Sequence, residues 1–372
     1  MAAAASPSAV TRNATVLLAV IASGATLYWL ADILTPLALA MFLAVMIDGF
    51  ARVLEHRLPG VSRRAALPLA VVLSLAIFGG SAFFIAENAT SFGGQLVGYT
   101  PKLNALITKA AGLLGVHAPV SISTLAQQLD PAKYIGILAK GLQNFTSTAG
   151  FVLVYAAFII ASRGAFDRKM VSLFRSREER QEAVAAFLRI RDGVEQYLWV
   201  QTITGLMVAV SAWIAMVSVG LNDAAFWAFL IFIISYIPVI GGLLGILAPP
   251  IFALLQFDTY WQAIVLFGVL NGIGVVVGNF IYPRMQGRSL NIDPVVVLLA
   301  LAFWGAIWGV AGAFLSTPLT VMAMVLLAQF DGTRWIAVLL SADGAPQQLR
   351  DATPGMRPDQ PHRPDRNSRR SQ

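Results

Sequence analysis

Charged side chains are sparse along this chain, and the gaps between them draw its map. Uncharged runs frame a first span between Arg12 and Asp32, a second between Asp32 and Asp48, and a third over 65–86. A helical crossing needs about 20 apolar residues at about 1.5 Å of rise each. A fourth span fits the 22 uncharged residues between Lys140 and Arg163. Between spans three and four, residues 88–147 are more polar, with Leu96, Tyr99, Leu103, Leu106, Ala110 and Leu113 at helical spacing. That stretch reads as an amphipathic helical excursion outside the bilayer. Within 163–195, Val184, Phe187, Ile190, Val194 and Tyr197 make an apolar stripe, so a surface-lying amphipathic helix is expected over 175–196.

The second half carries the most information. Four uncharged gaps follow one another: 27 residues up to Asp223, 34 up to Asp258, 25 up to Arg284, and 37 between Asp293 and Asp331. The shorter two fit one span each. The longer two exceed a straight crossing yet fall short of two full ones, and each is broken near its middle. Pro238, Gly241, Gly242, Gly245, Pro249 and Pro250 interrupt the first; Gly305, Gly309, Gly312 and Pro318 interrupt the second. The order span, broken segment, span, broken segment predicts an inverted repeat, with re-entrant hairpins over 226–256 and 294–328. Eight full spans are the alternative. Broken backbone in lipid is tolerated only where protein buries it or where it lines a wet cavity, so two matched breaks point to a path for a solute. Taken singly, each glycine is better explained by close helix packing.

Composition agrees with this patterning: 57% of the 372 residues are hydrophobic and only 12% charged, about half the charged share of a soluble domain. The fold class is therefore an all-α polytopic membrane protein with about eight membrane segments. The run 14–31 is long for a signal peptide and reads as a retained span. The net charge of +7 sits in loops and tail. Four Arg lie in 52–64, eight Lys/Arg in 163–195 and seven Arg from Arg334 onward, which puts all three regions in the cytoplasm with both termini. The 88–147 excursion then lies outside. These charges set topology, and no nucleic-acid partner is expected.

The second half holds amides and hydroxyls within its apolar segments: Gln201, Thr202, Thr204, Ser235, Tyr236, Asn271, Asn279, Ser316, Thr317 and Thr320. It holds no mid-span charge, and Asp48 near the end of span two is the nearest candidate carboxylate for ion coupling, although headgroup level suits it better. This favours a neutral polar solute. The predicted path is shaped by Pro238, Gly241, Gly242, Gly305, Gly309, Gly312 and Pro318, with Tyr236, Asn271, Asn279 and Ser316 as solute contacts. No phosphate-binding loop and no His-Glu-x-x-His motif occurs, cysteine is absent, and His56, His117 and His362 are scattered, so neither an enzyme, a metal site nor a cofactor is expected.

The run ISYIPVIGGLLGILAPPIFAL resembles the Ile-Pro-x-x-Gly segment of the autoinducer-2 exporter family of bacterial membrane proteins. NFIYPRMQGRSLNIDPVVVLLALAFWGAIWGVAGAFLSTPLTVMAMVLL is similar to that family's closing signature, with Pro283, Gly287, Arg288, Ser289, Leu290 and Pro294 ahead of the Gly-rich segment and Pro318. PLALAMFLAVMIDGFARVL resembles its early span, with Asp48-Gly49 where Asn-Pro is common. The resemblance covers about 15–335. It implies an inner-membrane permease exporting a small hydrophilic quorum signal, and self-association into a homo-oligomer; some members are described as sodium/proton antiporters.

The expected organisation is a three-span region over 1–87, the excursion over 88–147, a transport core over 148–335 and a disordered cytoplasmic tail over 336–372. The expected function is a transporter without its own ATPase, moving a small polar solute such as autoinducer-2 through the bacterial inner membrane. A cation/proton antiporter and a non-transporting scaffold are the alternatives.

Overall fold

The structure, a computed structural model, describes residues 7–57, 62–99, five positions between 101 and 109, 148–162, 176–286, 291–330 and 332–344. The rest of the predicted excursion, the 163–175 stretch, the signature positions 287–290 and the tail from 345 lie outside the described residues. Within them the chain is helical, and the sole strand-like pairing is an isolated bridge between Ile292 and Ser341. Five helices are long and apolar enough to cross a membrane by length and composition: Ala31–His56, Ala65–Ile85, Ala183–Ser218, Trp261–Met285 and Pro294–Ala328.

Helices α1 (Pro7–Trp29) and α2 (Ala31–Arg57) meet at a turn on Leu30, whose N–H bonds the Thr26 carbonyl at 2.9 Å. Helix α3 (Arg63–Gly98) runs through position 87, so the third span and the start of the excursion are one continuous rod. Apolar contacts bind α3 to α2 around Ile47, Ala51, Leu54, Ala66 and Ala70, and α4 (Thr148–Ala161) to α2 around Ala40, Val152 and Ala156. Helix α5 (Arg177–Ser218) is likewise continuous over 42 residues and fuses the predicted amphipathic stretch with the following span. Along its stripe Val184 and Phe187 stay exposed, while Val194 and Tyr197 enter the core.

The first long gap folds into a hairpin. Helices α6 (Ala224–Ile234) and α7 (Ile240–Gln256) are joined by a tip at 235–239. Pairs along the arms show the fold-back: Trp227 against Phe252 with ring centroids 5.5 Å apart, and Gly245 against Ile231. At the open end the Gln256 side chain donates to the Gly220 carbonyl at 2.8 Å and accepts from the Asn222 N–H at 2.7 Å, so entry and exit lie side by side. The tip closes through a γ-turn on Val239 (φ 64°, ψ −53°), with Ile240 N–H on the Pro238 carbonyl at 2.6 Å. A β-branched residue there stores strain.

After α8 (Trp261–Val276), a π-helical turn at Val277–Ile281 and the short α9 (Tyr282–Gln286), the second long gap forms α10 (Pro294–Ala328). Asp293 caps its start by accepting from the Val295 N–H at 2.7 Å. Gly309 (φ 62°, ψ −141°) breaks it. The Trp304 indole donates to the Thr320 hydroxyl at 3.1 Å, where 16 residues of straight helix would hold them about 24 Å apart. Ile292 packs with Met324 and Ala328 at the open end, beside α11 (Arg334–Leu340). Pro294–Ala328 is therefore a second hairpin despite its length.

The two hairpins share a construction. In each, a positive-φ residue sits five positions after the first-arm residue whose carbonyl makes the closest approach to the returning arm (Val239 after Ile234, Gly309 after Trp304). Soon after comes a buried glycine, Gly241 or Gly312, pressed under that residue's carbonyl, where any Cβ would collide with main chain.

Hairpin one is held between α5 and α8 by Ala212, Met216, Trp227, Ile231, Phe252, Leu266 and Leu270. Residues just after α3 clasp its open end: Tyr99 meets Phe252 edge-on at 5.6 Å, and the Lys102 ammonium donates to the Phe257 carbonyl and to Asp258, both at 2.7 Å. Lys102 holds the Asp258 carboxyl below the usual carboxylate range. Near the middle of α5, Arg52 of α2 pairs with Glu195.

Substituting Gly241→Ala or Gly312→Ala lowers stability by about 1–3 kcal/mol through overpacking against rigid backbone. Gly242→Ala, with open space around it, is neutral or gains up to about 1 kcal/mol. Thermal unfolding of the purified proteins in detergent checks this, and equal effects at Gly241 and Gly242 refute the close-approach argument.

Candidate functional site

The tips of the two hairpins meet beside the middle of α5. Tyr236, in the first tip, stacks on Phe314, five residues past Gly309, with ring centroids 5.0 Å apart and planes 26° apart. The first tip is tied to α5 by polar groups. The Tyr236 and Thr202 hydroxyls share a hydrogen bond of 2.7 Å, and the Gln201 amide donates to the Ser235 carbonyl. The Ser235 hydroxyl turns back to the Phe232 carbonyl at 2.7 Å. These bonds answer the carbonyls and hydroxyls that a broken helix would leave bare.

Hairpin two runs along α5 in the other direction. Phe314 lies at the level of Thr202 through Tyr236, whereas Thr317, one turn further along the arm, lies against Tyr197. Hairpin one instead opens beside Gly220, at the C-terminal end of α5. The open ends thus lie toward opposite ends of α5 and the tips converge between them.

A third element reaches the junction. The Trp308 indole N–H donates to the Leu27 carbonyl at 3.1 Å, at the end of α1. Helix ends leave such carbonyls unsatisfied, and here the second tip answers one. Trp304 and Trp308 lie 5.2 Å apart beside the same cluster.

The predicted site residues distribute unevenly over this geometry. Tyr236, Pro238 and Gly241 belong to the first tip, with Gly242 exposed just beyond it. Gly309 forms the second tip, Gly312 is buried under the Trp304 carbonyl, and Gly305 faces Ala313 across the hairpin. Ser316 and Pro318 are wholly buried in the returning arm, and the Ser316 hydroxyl donates to the Ala313 carbonyl at 2.8 Å. Asn271 bonds the Phe267 carbonyl of its own helix at 2.9 Å, and Asn279 lies exposed in the π-helical turn; both belong to the flanking span rather than to a tip. Asp48 is half-buried one turn before Arg52, in the field of that guanidinium with Asp192 and Glu195 of α5. Phe314, Trp304 and Trp308 are additions from the structure. Their signal in the sequence was aromatic residues within one to five positions of the breaking glycines.

The chain matches the model of the AI-2E family transporter over residues 17–332. It is 29% identical to the AI-2 transport protein TqsA of Escherichia coli (strain K12), over 84% of this chain and 90% of that protein. It is 30% identical to a "Putative transport protein" of Haemophilus influenzae, over 83% of this chain and 90% of that protein. It is 27% identical to "Putative transport protein YhhT" of Escherichia coli (strain K12), over 83% and 88%. With this match over most of its length and several helices fit to cross a bilayer, the chain is a multi-pass membrane protein that belongs to the AI-2E transporter family.

Proposed function

We propose that this transporter carries a small, neutral polar solute across the bacterial inner membrane between the two hairpin tips, and that autoinducer-2 is such a solute. The observation that carries the reading is the meeting of two oppositely opening hairpins at Tyr236 and Phe314. In a bilayer, hairpins of this kind leave thin barriers at the centre, where half-helix ends and short polar side chains can replace water around a solute. Around the meeting point the groups are hydroxyls, an amide and aromatic faces: Thr202, Tyr236, Gln201, Phe314, Trp304. None carries charge, which suits a neutral solute.

On this reading both hairpins are re-entrant, the second half is an inverted repeat, both termini are cytoplasmic, and the chain works as a homo-oligomer. Asp48 serves the α2–α5 charge cluster with Arg52, Asp192 and Glu195 rather than ion coupling. The path residues are Tyr236, Pro238, Gly241, Gly242, Gly305, Gly309, Gly312, Ser316 and Pro318, with Asn271 and Asn279 on the flanking span.

In vesicles holding the purified protein, autoinducer-2 moves faster than through protein-free vesicles, and Pro238→Leu combined with Gly241→Leu removes that excess. Undiminished transport by the double variant would favour the scaffold alternative. Asp48→Asn leaves the rate unchanged, whereas loss of transport together with loss of sodium- or pH-driven exchange would restore the antiporter. For topology, Thr259→Cys reacts with a membrane-impermeant thiol reagent from outside; reaction from the cytoplasmic side would mean that 226–256 makes one full crossing.

A further inference from the structure

One helical turn beyond the Tyr236–Phe314 stack lies a buried hydroxyl whose one polar neighbour is a tyrosine. Thr317 is 4% exposed, one helical turn from Phe314 on the same face of the arm, and rests against Tyr197, itself 2% exposed. Its neighbours Ser316 and Thr320 answer their own burial by donating to the Ala313 and Ser316 carbonyls at 2.8 and 2.7 Å. The Thr317 hydroxyl comes within reach of the Tyr197 hydroxyl but is poorly aligned with it. A buried hydroxyl left so costs free energy that a valine of the same shape would avoid.

The Tyr236–Phe314 stack is held from one side only. Tyr236 is fixed by Thr202, and the Ser235 carbonyl before it by Gln201. Phe314 has no polar tie, and its arm starts at Gly309, a positive-φ residue with open space around it. The tie from Trp308 to α1 lies before that glycine, on the other arm.

We propose that Tyr236 and Phe314 are the closed gate of the path, with Phe314 the leaf that moves, and that Thr317 is a solute contact sealed behind it. This rests on transport between the hairpin tips. The rings part, the Thr317 hydroxyl takes a hydrogen bond from or to a neutral polar solute, and the stack re-forms once the solute has left.

Because the chain has no cysteine, one introduced thiol reports one place. Thr317→Cys in purified protein should react slowly with a charged methanethiosulfonate. Adding Phe314→Ala or Tyr236→Ala should speed that reaction about ten-fold or more by raising the open population. Ala253→Cys, wholly buried in the core of hairpin one, should stay slow in both backgrounds. Unchanged reaction at Thr317→Cys, or an equal rise at Ala253→Cys, overturns the gate. For the contact, Thr317→Val should melt no lower than the parent yet raise KM for autoinducer-2 in vesicles about ten-fold, the worth of one hydrogen bond. Thr317→Ser should restore it, and an unchanged KM in Thr317→Val overturns the assignment. If the intact protein moves no autoinducer-2 while the stack still shields Thr317→Cys, the transport reading fails and the seal stands. If it moves autoinducer-2 while Thr317→Cys reacts freely, transport stands and the gate is overturned.

Discussion

Everything in this half of the molecule answers to one requirement: a helix interrupted inside lipid must find partners for the main-chain groups it frees. Each unsatisfied N–H or C=O in hydrocarbon costs several kcal/mol, so a break persists only where neighbours supply the bonds. At the first tip the Ser235 carbonyl takes the Gln201 amide, and the Pro238 carbonyl takes the Ile240 N–H within the γ-turn. At the end of α1 the Leu27 carbonyl takes the Trp308 indole. Where hairpin one opens, a single side chain, Gln256, serves a carbonyl and an N–H at once. The packing of α1, α5 and the two hairpins follows from where these bonds must be made.

The glycines show how much of this the sequence could tell. An uncharged gap too long for one crossing, broken in the middle, was enough to expect fold-back over 226–256 and 294–328, because helix length and bilayer thickness are fixed quantities. Which glycine does what was not legible. Gly241 and Gly242 are adjacent and look alike, yet one lies under the Ile234 carbonyl and the other faces open space. That difference depends on the angle at which two arms cross, and the γ-turn on Val239 sets it. No composition rule assigns positive φ to a valine.

The polar residues were harder still. Counting amides and hydroxyls gave Asn271 and Ser316 the same standing as Tyr236. In the fold, Asn271 and Ser316 bond carbonyls of their own helices, as such residues commonly do in apolar segments. Tyr236 instead bonds across to α5. Whether a side chain serves its own helix or a neighbour depends on rotamer and on what lies opposite. The continuous α5 was missed for a related reason: a change from charged to apolar composition near position 196 looks like a boundary, but helix propensity does not change there, and the rod simply passes from one environment into the next.

That rod has a mechanical consequence. Helix α5 extends over about 60 Å at 1.5 Å per residue. Along it sit the ion pair at Glu195, the neighbour of hairpin two at Tyr197 and the anchors of hairpin one at Gln201 and Thr202. These four attachment points span two turns of one helix and cannot change their mutual spacing while it stays intact. Tilting or turning α5 therefore carries the Arg52 pairing and the first tip together, as one lever. Any rearrangement that separates the tips has to come from hairpin two sliding against this lever, not from the lever bending.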